Sequence, residues 1–343
     1  MKNIKIGIVG WGKISDIHAQ AINGAEGCEL TAVFTSDKNK NKNIIMKYEV
    51  DVYNEYEKFL SSNLFDTVSI CTPSGTHLEY AIPAAENRLH LIIEKPLEVT
   101  LSRAKQIIQA CEHHNVKLAV IYQNRYLDAV GTIKSLLDKN KLGKIIHASA
   151  YIKWFRSQEY YESAAWRGTK ALDGGGVLIN QAIHTIDLLQ YFVGNVTTLA
   201  GLVETLNHAR IEGEDCAVAI LKFENDALGT IEASTCIQPA ESRRIEIHGT
   251  KGTVILDGDN AIIKKVGDEV LAKTKISSAG ADSPMSNFDI KSHKKQFEEI
   301  ALMIKNNGKP NVSGLESLKS LGIVLAIYKS SNEGRAVSLN ELL

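Results

Sequence analysis

Short apolar runs alternate with helical patterns along the first third of the chain. The apolar runs read as strands, and helical spacing begins near Ile14, Thr76 and Leu101; the runs are "IKIGIV", "LTAVF", "DTVSIC", "HLIIE" and "KLAVIY". Each parallel pair of strands needs a crossover, usually a helix, to return the chain. Residues 1–122 are therefore predicted to form an α/β domain with a doubly wound parallel sheet.

The pattern changes after Tyr122. One helical stretch comes first, followed by the alternating runs "AVAILKFE", "LGTIEAST", "RRIEIHG" and "GTVILDG". Short turns at "FENDALG" and "HGTKG" indicate hairpins and a mainly antiparallel sheet. Two amphipathic helices follow, "FDIKSHKKQFEEIALMIKNNGKP" and "SGLESLKSLGIVLAIYKSSNEGR", each ended by glycine and the second capped by serine. Residues 123–343 are therefore predicted to be a second domain of α+β type.

Composition supports two globular domains and excludes several classes of partner. A chain of 343 residues exceeds the size at which one core usually keeps growing. Lys and Arg number 39 against 40 Asp and Glu, so nothing resembles the basic footprint of a nucleic-acid-binding protein. The longest apolar run, "LGIVLAIY", is far shorter than the roughly 20 residues that span a bilayer. With no signal-peptide pattern at the start, we expect a cytoplasmic protein with no membrane partner.

The cysteines give no sign of a metal site. Five are scattered along the chain without a C-x-x-C pair or a nearby histidine at ligand spacing: Cys28, Cys71, Cys111, Cys216 and Cys236. They are read as ordinary buried thiols in a reducing compartment, and no metal is predicted. A catalytic cysteine is the alternative, but nothing beside any of the five suggests activation.

A glycine pair follows the first strand. In "IKIGIVGWGKIS", Gly10 and Gly12 precede a helix that Lys13 and Ile14 open, which is the context a dinucleotide turn requires. Gly10 would make the turn, Gly12 would let a pyrophosphate approach, and the helix N-terminus would favour its charge. Ser15 stands where glycine or alanine is usual and is small enough for close packing. A glycine turn without a ligand is the alternative.

The residues at the end of the second strand fit either NAD or NADP as the cofactor. An acid here bonds the ribose 2′-hydroxyl of NAD. The sequence "AVFTSDKNK" offers Thr35 and Ser36 first, then Asp37 and Lys38. The hydroxyls and the lysine could equally hold a 2′-phosphate.

A second glycine-rich stretch, "LDGGGVLINQAIHTIDLL", opens a helix with a polar side. Asn180, His184 and Asp187 lie opposite an apolar side, which comprises Leu178, Ala182, Ile186 and Leu189. Asp187 is the one formally charged residue between Gly174 and Val203. A face in bulk water normally carries Lys and Glu, so this side is predicted to be covered. A satisfied structural histidine is the alternative, and Asp187 is read as structural or orienting.

The tripeptide Glu94-Lys95-Pro96 in "IIEKPLEVT" lies at the carboxyl end of a predicted strand. Ligands bind at this edge of open α/β sheets. The proline could be cis or trans, and a plain surface lysine is the alternative.

Taken together, "GIVGWGKIS", "CTPSGTHLEYAIPAAENRLHLIIEKPL", "YQNRY", "WRGTKALDGGGVLINQAIHTIDLLQYFVG" and "GLESLKSLGIVLAIYKSSNEGRAVSL" resemble the glucose-fructose oxidoreductase, inositol dehydrogenase and MocA (Gfo/Idh/MocA) family, over nearly the full length. The resemblance implies a Rossmann domain followed by an open, largely antiparallel sheet domain, acting on a sugar, nucleotide sugar or cyclitol. It implies that Lys95 contacts the reacting oxygen and that His184 is the acid or base. Asn180 stands where inositol-dehydrogenase-like members carry aspartate, which argues against a simple cyclitol.

The resemblance also implies a set of binding residues. The cofactor would be lined by Thr72, Pro73, Ser74, His77, Glu94, Lys95, Gln123, Trp166 and Arg167, besides the glycine turn and Thr35 to Asp37. Substrate contacts are assigned to Asn180, Tyr126, Arg156 and Trp154. An open sheet face would need cover, so a homodimer or homotetramer is expected.

The predicted reaction is NAD(P)-dependent hydride transfer at a CH-OH group of a carbohydrate. One alternative is a glycosidase or lyase that uses NAD transiently. Another is a non-catalytic nucleotide-binding protein, which would need neither Lys95 nor His184.

Overall fold

The computed structural model describes residues 3–267 and 290–342. The strands are β1 (Ile4–Val9), β2 (Cys28–Phe34), β3 (Asp51–Tyr53), β4 (Thr67–Ile70), β5 (His90–Ile93), β6 (Leu118–Val120), β7 (Ile145–Lys153), β8 (Val196–Glu204), β9 (Cys216–Phe223), β10 (Leu228–Ser234), β11 (Arg244–Gly249), β12 (Gly252–Asp257), β13 (Asn260–Val266) and β14 (Val337–Ser338). The α-helices are α1 (Lys13–Gly24), α2 (Asn41–Tyr48), α3 (Tyr56–Leu60), α4 (His77–Glu86), α5 (Leu101–His113), α6 (Asp128–Asp138), α7 (Gln158–Glu162), α8 (Ile183–Val193), α9 (Ile290–Lys305) and α10 (Gly314–Glu333).

The chain divides into two compact units. The first comprises the described residues within Met1–Gln123 and Phe288–Ser317, and the second those within Asn124–Asn287 and Leu318–Leu343. The expectation that everything after residue 122 forms the second domain is therefore wrong for α9. Phe297 and Ile300 of α9 are buried, and the helix packs on α1 and β2. Helical periodicity shows that α9 has an apolar face, but it cannot show which sheet receives that face.

The first unit is built on a parallel sheet of six strands in the order β3-β2-β1-β4-β5-β6. This is the Rossmann order, in which the reversal between β1 and β4 leaves a crevice at the carboxyl ends of the strands. Ile6, Ile8 and Val9 of β1 have no exposed surface, as expected of a strand covered by helices on both faces. The predicted α/β class is confirmed.

The second unit is built on a mixed sheet of eight strands in the order β13-β12-β11-β7-β10-β9-β8-β14. Both predicted hairpins are present, since β9 pairs antiparallel with β10 and β11 with β12. The β7–β10 pair is parallel, so the sheet is mainly and not wholly antiparallel. Helix α8 packs against β7 and β11, and α6 packs against β12 and β13.

The C-terminal helices follow the predicted pattern where the structure describes them. Ser313 Oγ accepts the N–H of Glu316, which is the expected serine cap at the start of α10. Asn307, two residues beyond the end of α9, adopts the left-handed conformation with φ 52° next to Gly308. Phe288 and Asp289 of the predicted first helix lie outside the described residues.

Candidate active site

The glycine turn after β1 has the geometry of a dinucleotide turn. Gly10 has φ +87°, and a Cβ atom there would lie 2.8 Å from Cγ2 of Thr72. Both the backbone conformation and the lack of space therefore exclude a side chain. Gly12 caps α1 in an extended conformation, and a Cβ atom there would have no atom of the described chain within 4 Å. This open space in front of a helix N-terminus fits a pyrophosphate.

Two residues beside the turn complete the fit. Ser15 is fully buried, and its Oγ accepts the N–H of Gly12 at 3.1 Å, which explains how serine replaces the usual glycine. The Thr72 hydroxyl is buried without a hydrogen-bond partner in the described chain, next to Gly10. Such an orphaned group suits a ligand that supplies the missing bond. Lys13 is exposed and Ile14 half-buried in the first turn of α1.

The end of β2 directs one carboxylate to the same edge of the sheet. Thr35 is buried and its Oγ1 accepts the N–H of Asp37 at 3.2 Å, whereas Ser36 is exposed. Lys40 Nζ donates to the carbonyl of Trp11 at 2.9 Å and lies 3.6 Å from Asp37 Oδ2. Asp37 is thus linked through Lys40 to the glycine turn.

His77 supports the turns that follow β4 and β5. Its Nε2 lies 3.1 Å from the Thr72 carbonyl, and its Nδ1 lies 3.1 Å from the Pro96 carbonyl and 3.2 Å from that of Leu97. The sequence expectation that His77 contacts the cofactor does not match this ring, which has no exposed surface. A ring buried between carbonyls can hold two loops together but offers nothing to a ligand. Pro73 and Ser74 on the first turn are half-exposed, while Gln123 after β6 is 8% exposed.

Glu94 forms a buried ion pair with a residue that the sequence analysis missed. Its Oε1 lies 2.8 Å from Nε2 of His18, and its Oε2 accepts the N–H of Lys95 at 3.1 Å. Both oxygens are hydrogen-bonded within the protein and only 7% of the residue is exposed, so Glu94 supports the turn. Lys95 is half-exposed among buried neighbours, and its bond to Pro96 is cis.

The environment of this pair favours both charges. Burial of the His18 ring is outweighed by the Cys71 sulfur, 3.2 Å away, and by Glu94, which together raise the pKa of His18 to about 10. Burial of Glu94 is outweighed by its bond to His18, which lowers the pKa of the carboxyl to about 2. The Cys71–His18 contact joins residues 53 positions apart, so the cysteine spacing gave no hint of it.

The glycine-rich stretch of the second unit begins a π-helical turn, Val177–Ala182, ahead of α8. A Cβ atom at Gly176 would overlap the carbonyl oxygen of Glu214, so glycine is required there. Glu214 accepts the N–H of Gly176 at 3.0 Å and of Leu178 at 2.8 Å, and Tyr328 donates to it at 3.0 Å. Burial raises the pKa of Glu214 despite these donors. The predicted single helix is therefore two elements, and π-helical turns are frequent at functional sites.

The polar side of this segment divides into two parts. Asn180 donates a hydrogen bond to Asp173 and accepts one from Gln181. Asn180, Gln181 and His184 are partly exposed, whereas Asp173 is buried. Asp187 is 1% exposed and forms a bidentate ion pair with Arg125, with two N–O distances of 2.7 Å. Asp187 therefore has the structural role expected for it.

Aromatic rings and arginines form a second cluster in the same unit, which we call the arginine–aromatic cluster. It comprises Trp154, Arg156, Tyr160, Trp166 and Arg167. Trp166 and Arg167, expected beside the cofactor, thus lie with the substrate candidates Trp154 and Arg156. Tyr126 lies apart from these contacts in the turn before α6, on a groove that it shares with Arg125. Tyr160 and Gln181 were missed, because nothing local distinguishes them from surface residues.

Two groups of potential metal ligands occur among the described residues: His18, Glu94 and His293, and His208, Asp215 and Cys236. In the second group His208 Nδ1 lies 3.0 Å from Asp215 Oδ2, and Nε2 lies 2.8 Å from the Arg156 carbonyl. Both ring nitrogens are engaged with oxygens of the protein, as those of His18 are with Glu94 and Ser69. Cys216 and Cys236 are half-exposed, unlike the buried thiols expected, and none of the five cysteines forms a disulfide.

Comparison with known proteins agrees with this geometry. Residues 4–122 match the model of an oxidoreductase family with an NAD-binding Rossmann fold, and residues 130–255 match the GFO/IDH/MocA C-terminal domain. The D-apiose dehydrogenase of Paraburkholderia graminis is 27% identical, covering 100% of this chain and 91% of that protein. The myo-inositol 2-dehydrogenase of Thermotoga maritima is 24% identical, covering 99% of this chain and 100% of that protein.

A solved structure extends the likeness to three dimensions. The WlbA dehydrogenase of Bordetella pertussis, in complex with NADH and UDP-GlcNAcA, superposes with a TM-score of 0.86 at 29% identity. The match covers 98% of this chain and 99% of that one. None of the helices in residues 3–267 and 290–342 has the length and apolar character needed to cross a membrane. The chain belongs to the Gfo/Idh/MocA family and is an NAD-binding oxidoreductase.

Proposed function

We propose that the protein transfers a hydride between nicotinamide and a secondary alcohol or ketone of a sugar, nucleotide sugar or cyclitol. The observation that carries the proposal is the open space at Gly12 in front of α1, on a sheet whose carboxyl edge also presents Lys95. The named relatives act on D-apiose and myo-inositol, and the WlbA dehydrogenase binds a nucleotide sugar. The substrates of these relatives differ from one another, so they support the substrate class, and the individual sugar has to be identified by experiment.

Lys95 and His184 carry the proposed chemistry. The nicotinamide, when bound, accepts or supplies the hydride. His184 takes the hydroxyl proton during oxidation and returns it during reduction, and the Lys95 ammonium stabilises the oxygen as its negative charge grows. Asn180, held by Asp173 and Gln181, would orient a substrate hydroxyl beside the histidine.

We infer that NAD is preferred over NADP. The Asp37 carboxylate, at the end of β2 and 3.6 Å from Lys40, can accept a ribose hydroxyl. A 2′-phosphate beside that carboxylate would meet like charge.

The first experiment identifies the cofactor and the substrate. Purified protein is denatured, released NAD(H) or NADP(H) is identified, and saccharides are screened for absorbance change at 340 nm with that cofactor. Turnover with a sugar or cyclitol is expected. Glycoside cleavage without net NADH would favour the transient-redox alternative, and cofactor binding without turnover would favour a non-catalytic protein.

Two variants then test the assigned roles. His184→Ala should lower kcat at least about 100-fold, the lower bound for general acid–base catalysis. Lys95→Met should lower kcat while the Kd of NAD stays within about twofold. The matched controls are His113→Ala on α5 and Lys58→Met on α3. Both residues are exposed and neither is a candidate site residue, since His113 contacts the His114 ring and Lys58 pairs with Glu55. Normal turnover of His184→Ala would remove that residue from the mechanism.

We also propose that the protein is a homo-oligomer assembled through one face of the eight-stranded sheet. On that face Leu202 is 63% exposed and pairs across the ladder with Val218, and Ile220, two residues along β9, is 64% exposed. A contiguous apolar surface of this kind usually has a partner, and a second copy would cover both faces at once. Ile220→Glu should reduce the mass measured by multi-angle light scattering to that of a monomer.

A reducing, cytoplasmic setting is proposed on separate grounds. None of the five thiols is paired in the described structure, and Cys28, Cys71 and Cys111 are buried.

A further inference from the structure

One buried ring contacts the elements that carry three turns at the carboxyl edge of the parallel sheet. His18 belongs to α1, which follows the glycine turn, and it has no exposed surface. Its Nδ1 lies 2.8 Å from Ser69 Oγ on β4 and 3.2 Å from Sγ of Cys71, the residue directly after β4. Its Nε2 lies 2.8 Å from Oε1 of Glu94, the residue directly after β5. The His18 ring therefore connects the beginnings of all three turns.

The Glu94 carboxylate extends this contact to the main chain of Lys95. Its Oε2 accepts the N–H of Lys95 at 3.1 Å, while its Oε1 faces His18. Because the two oxygens belong to one planar group, the bond to His18 also fixes the direction in which Oε2 points. The next residue, Pro96, is held through its carbonyl, which lies 3.1 Å from His77 Nδ1. The position of the Lys95 main chain thus depends on a contact that His18 makes.

The His18 ring is held in one orientation. It meets the Phe297 ring of α9 edge to face, with the two centroids 5.3 Å apart. Burial of each member of the pair is outweighed by its neighbours, Cys71 and Glu94 for the His18 ring and His18 for the carboxyl, so the pKa values keep both members charged at neutral pH. A charged ring with both nitrogens bonded and one edge packed cannot turn without leaving a buried charge unpaired.

Stability alone does not require an ion pair at this position. Removing one member of a buried pair is costly, but replacing both by apolar side chains of similar volume is often neutral or stabilising. Apolar side chains cannot, however, accept the N–H of Lys95 or fix the direction of its acceptor. What the pair adds at this position is therefore a defined geometry for the residue that follows Glu94.

We propose that His18 is a positioning residue for the reaction, acting through the Glu94 carboxylate to hold Lys95 where its ammonium contacts the reacting oxygen. The inference rests on the proposed function, because it explains how the lysine assigned to that oxygen is held. His18 contacts neither substrate nor cofactor itself, since its ring is fully buried. Its effect on the rate comes from geometry, because a displacement of about 1 Å can cost about 100-fold in rate.

The test uses variants that separate positioning from stability. His18→Leu/Glu94→Met removes both charges and keeps the space filled, so its resistance to chemical unfolding should be close to that of the native protein. His18→Gln keeps an amide N–H that can donate to Glu94 and is the conservative replacement. His90→Leu is the matched control, because His90 is half-buried at the amino end of β5, where its Nδ1 accepts the N–H of Lys117 at 3.1 Å.

Turnover is measured with saturating NAD and the sugar that the cofactor screen identifies, and the Kd of NADH is measured by fluorescence titration. For the double variant kcat should fall about 10- to 100-fold while the Kd of NADH stays within about twofold, because the dinucleotide turn keeps its own contacts. His18→Gln should retain most of the native kcat, and His90→Leu should leave kcat unchanged. A double variant with native stability and native kcat would overturn the inference, because His18 would then have a structural role only.

A second measurement needs no substrate. In His18→Leu the Glu94 carboxylate remains but loses its anchor, so hydrogen exchange of the Lys95 amide, followed by mass spectrometry, should become at least about tenfold faster. Exchange of the Lys117 amide is the internal control and should not change, and His18→Gln should exchange like the native protein. Unchanged exchange at Lys95 in His18→Leu would overturn the inference even if no substrate were found. Failure of every sugar to react, or normal turnover of Lys95→Met, would instead count against the proposed function.

Discussion

The buried His18–Glu94 pair should be a major contributor to the stability of the first unit. The perturbation is His18→Leu, which fills most of the space of a fully buried ring but leaves the Glu94 carboxylate without its 2.8 Å partner. Removing one member of a buried pair typically costs about 3–5 kcal/mol, because the other charge stays buried. The raised pKa of His18 agrees in sign, because Cys71 and Glu94 together favour the charged ring over the neutral one.

The sign of the pH dependence follows from the two pKa values. His18 has a raised pKa, so its contribution is complete below about pH 6.5 and is lost as the pH rises through about 10. Glu94 has a lowered pKa, so its contribution is complete above about pH 4.5 and is lost as the pH falls through about 2. The difference between the native protein and His18→Leu should therefore be largest between about pH 4.5 and 6.5 and should shrink towards pH 10.

The assay is guanidinium unfolding followed by tryptophan fluorescence. The chain has three tryptophans, so a Trp154→Phe/Trp166→Phe background leaves Trp11, which packs on Tyr48, as a reporter of the first unit. His113→Leu is the matched control, because His113 is exposed on α5 and should cost less than about 0.5 kcal/mol. The double variant His18→Leu/Glu94→Gln buries no unpaired charge and should recover part of the loss.

Two results would refute this reasoning. One is a loss for His18→Leu no larger than that for His113→Leu. The other is a loss that stays constant between pH 6 and pH 10, which would make the contact a neutral hydrogen bond.

Three further predictions concern other parts of the molecule. Gly176→Ala should destabilise the second unit by about 1–3 kcal/mol or more, because the added methyl group overlaps the Glu214 backbone. It should also lower kcat, since this contact supports the π-helical turn. Circular dichroism melts measure the first effect and steady-state kinetics the second. Asp37→Ser should raise the NADP/NAD ratio of kcat/KM at least about tenfold, and an unchanged ratio would exclude Asp37 from the ribose site. Arg125→Met should cost about 3–5 kcal/mol in chemical unfolding, since Asp187 is buried; a loss below 1 kcal/mol would show that another group compensates its charge.

Short-range patterns in the chain were sufficient for nine of the fourteen strands in the described residues, namely β1, β2, β4 to β6 and β9 to β12, but they did not reveal β3, β7, β8, β13 or β14. The β-branched runs of β1 and β4, the glycines between β1 and α1, and the two hairpin turns each act over a few residues, where side-chain periodicity and turn chemistry dominate. The polar side of the segment containing His184 was equally visible, because a helix without Lys or Glu on its accessible side is unusual.

Other features depend on contacts between residues far apart in the chain. Glu94 contacts His18 across 76 positions, and Gly176 donates its N–H to the Glu214 carboxylate across 38. Helix α9 belongs to the first unit although seven strands of the second sheet, β7 to β13, precede it in the chain. No local pattern marks His18, Glu214 or Tyr160, since each is an ordinary residue in its own element. Its importance appears only when packing removes water around it, because a charge or donor that is cheap to expose becomes costly to bury unpaired. Sequence alone determined which residues could do chemistry; the tertiary structure decided which of them are held in place and which support the others.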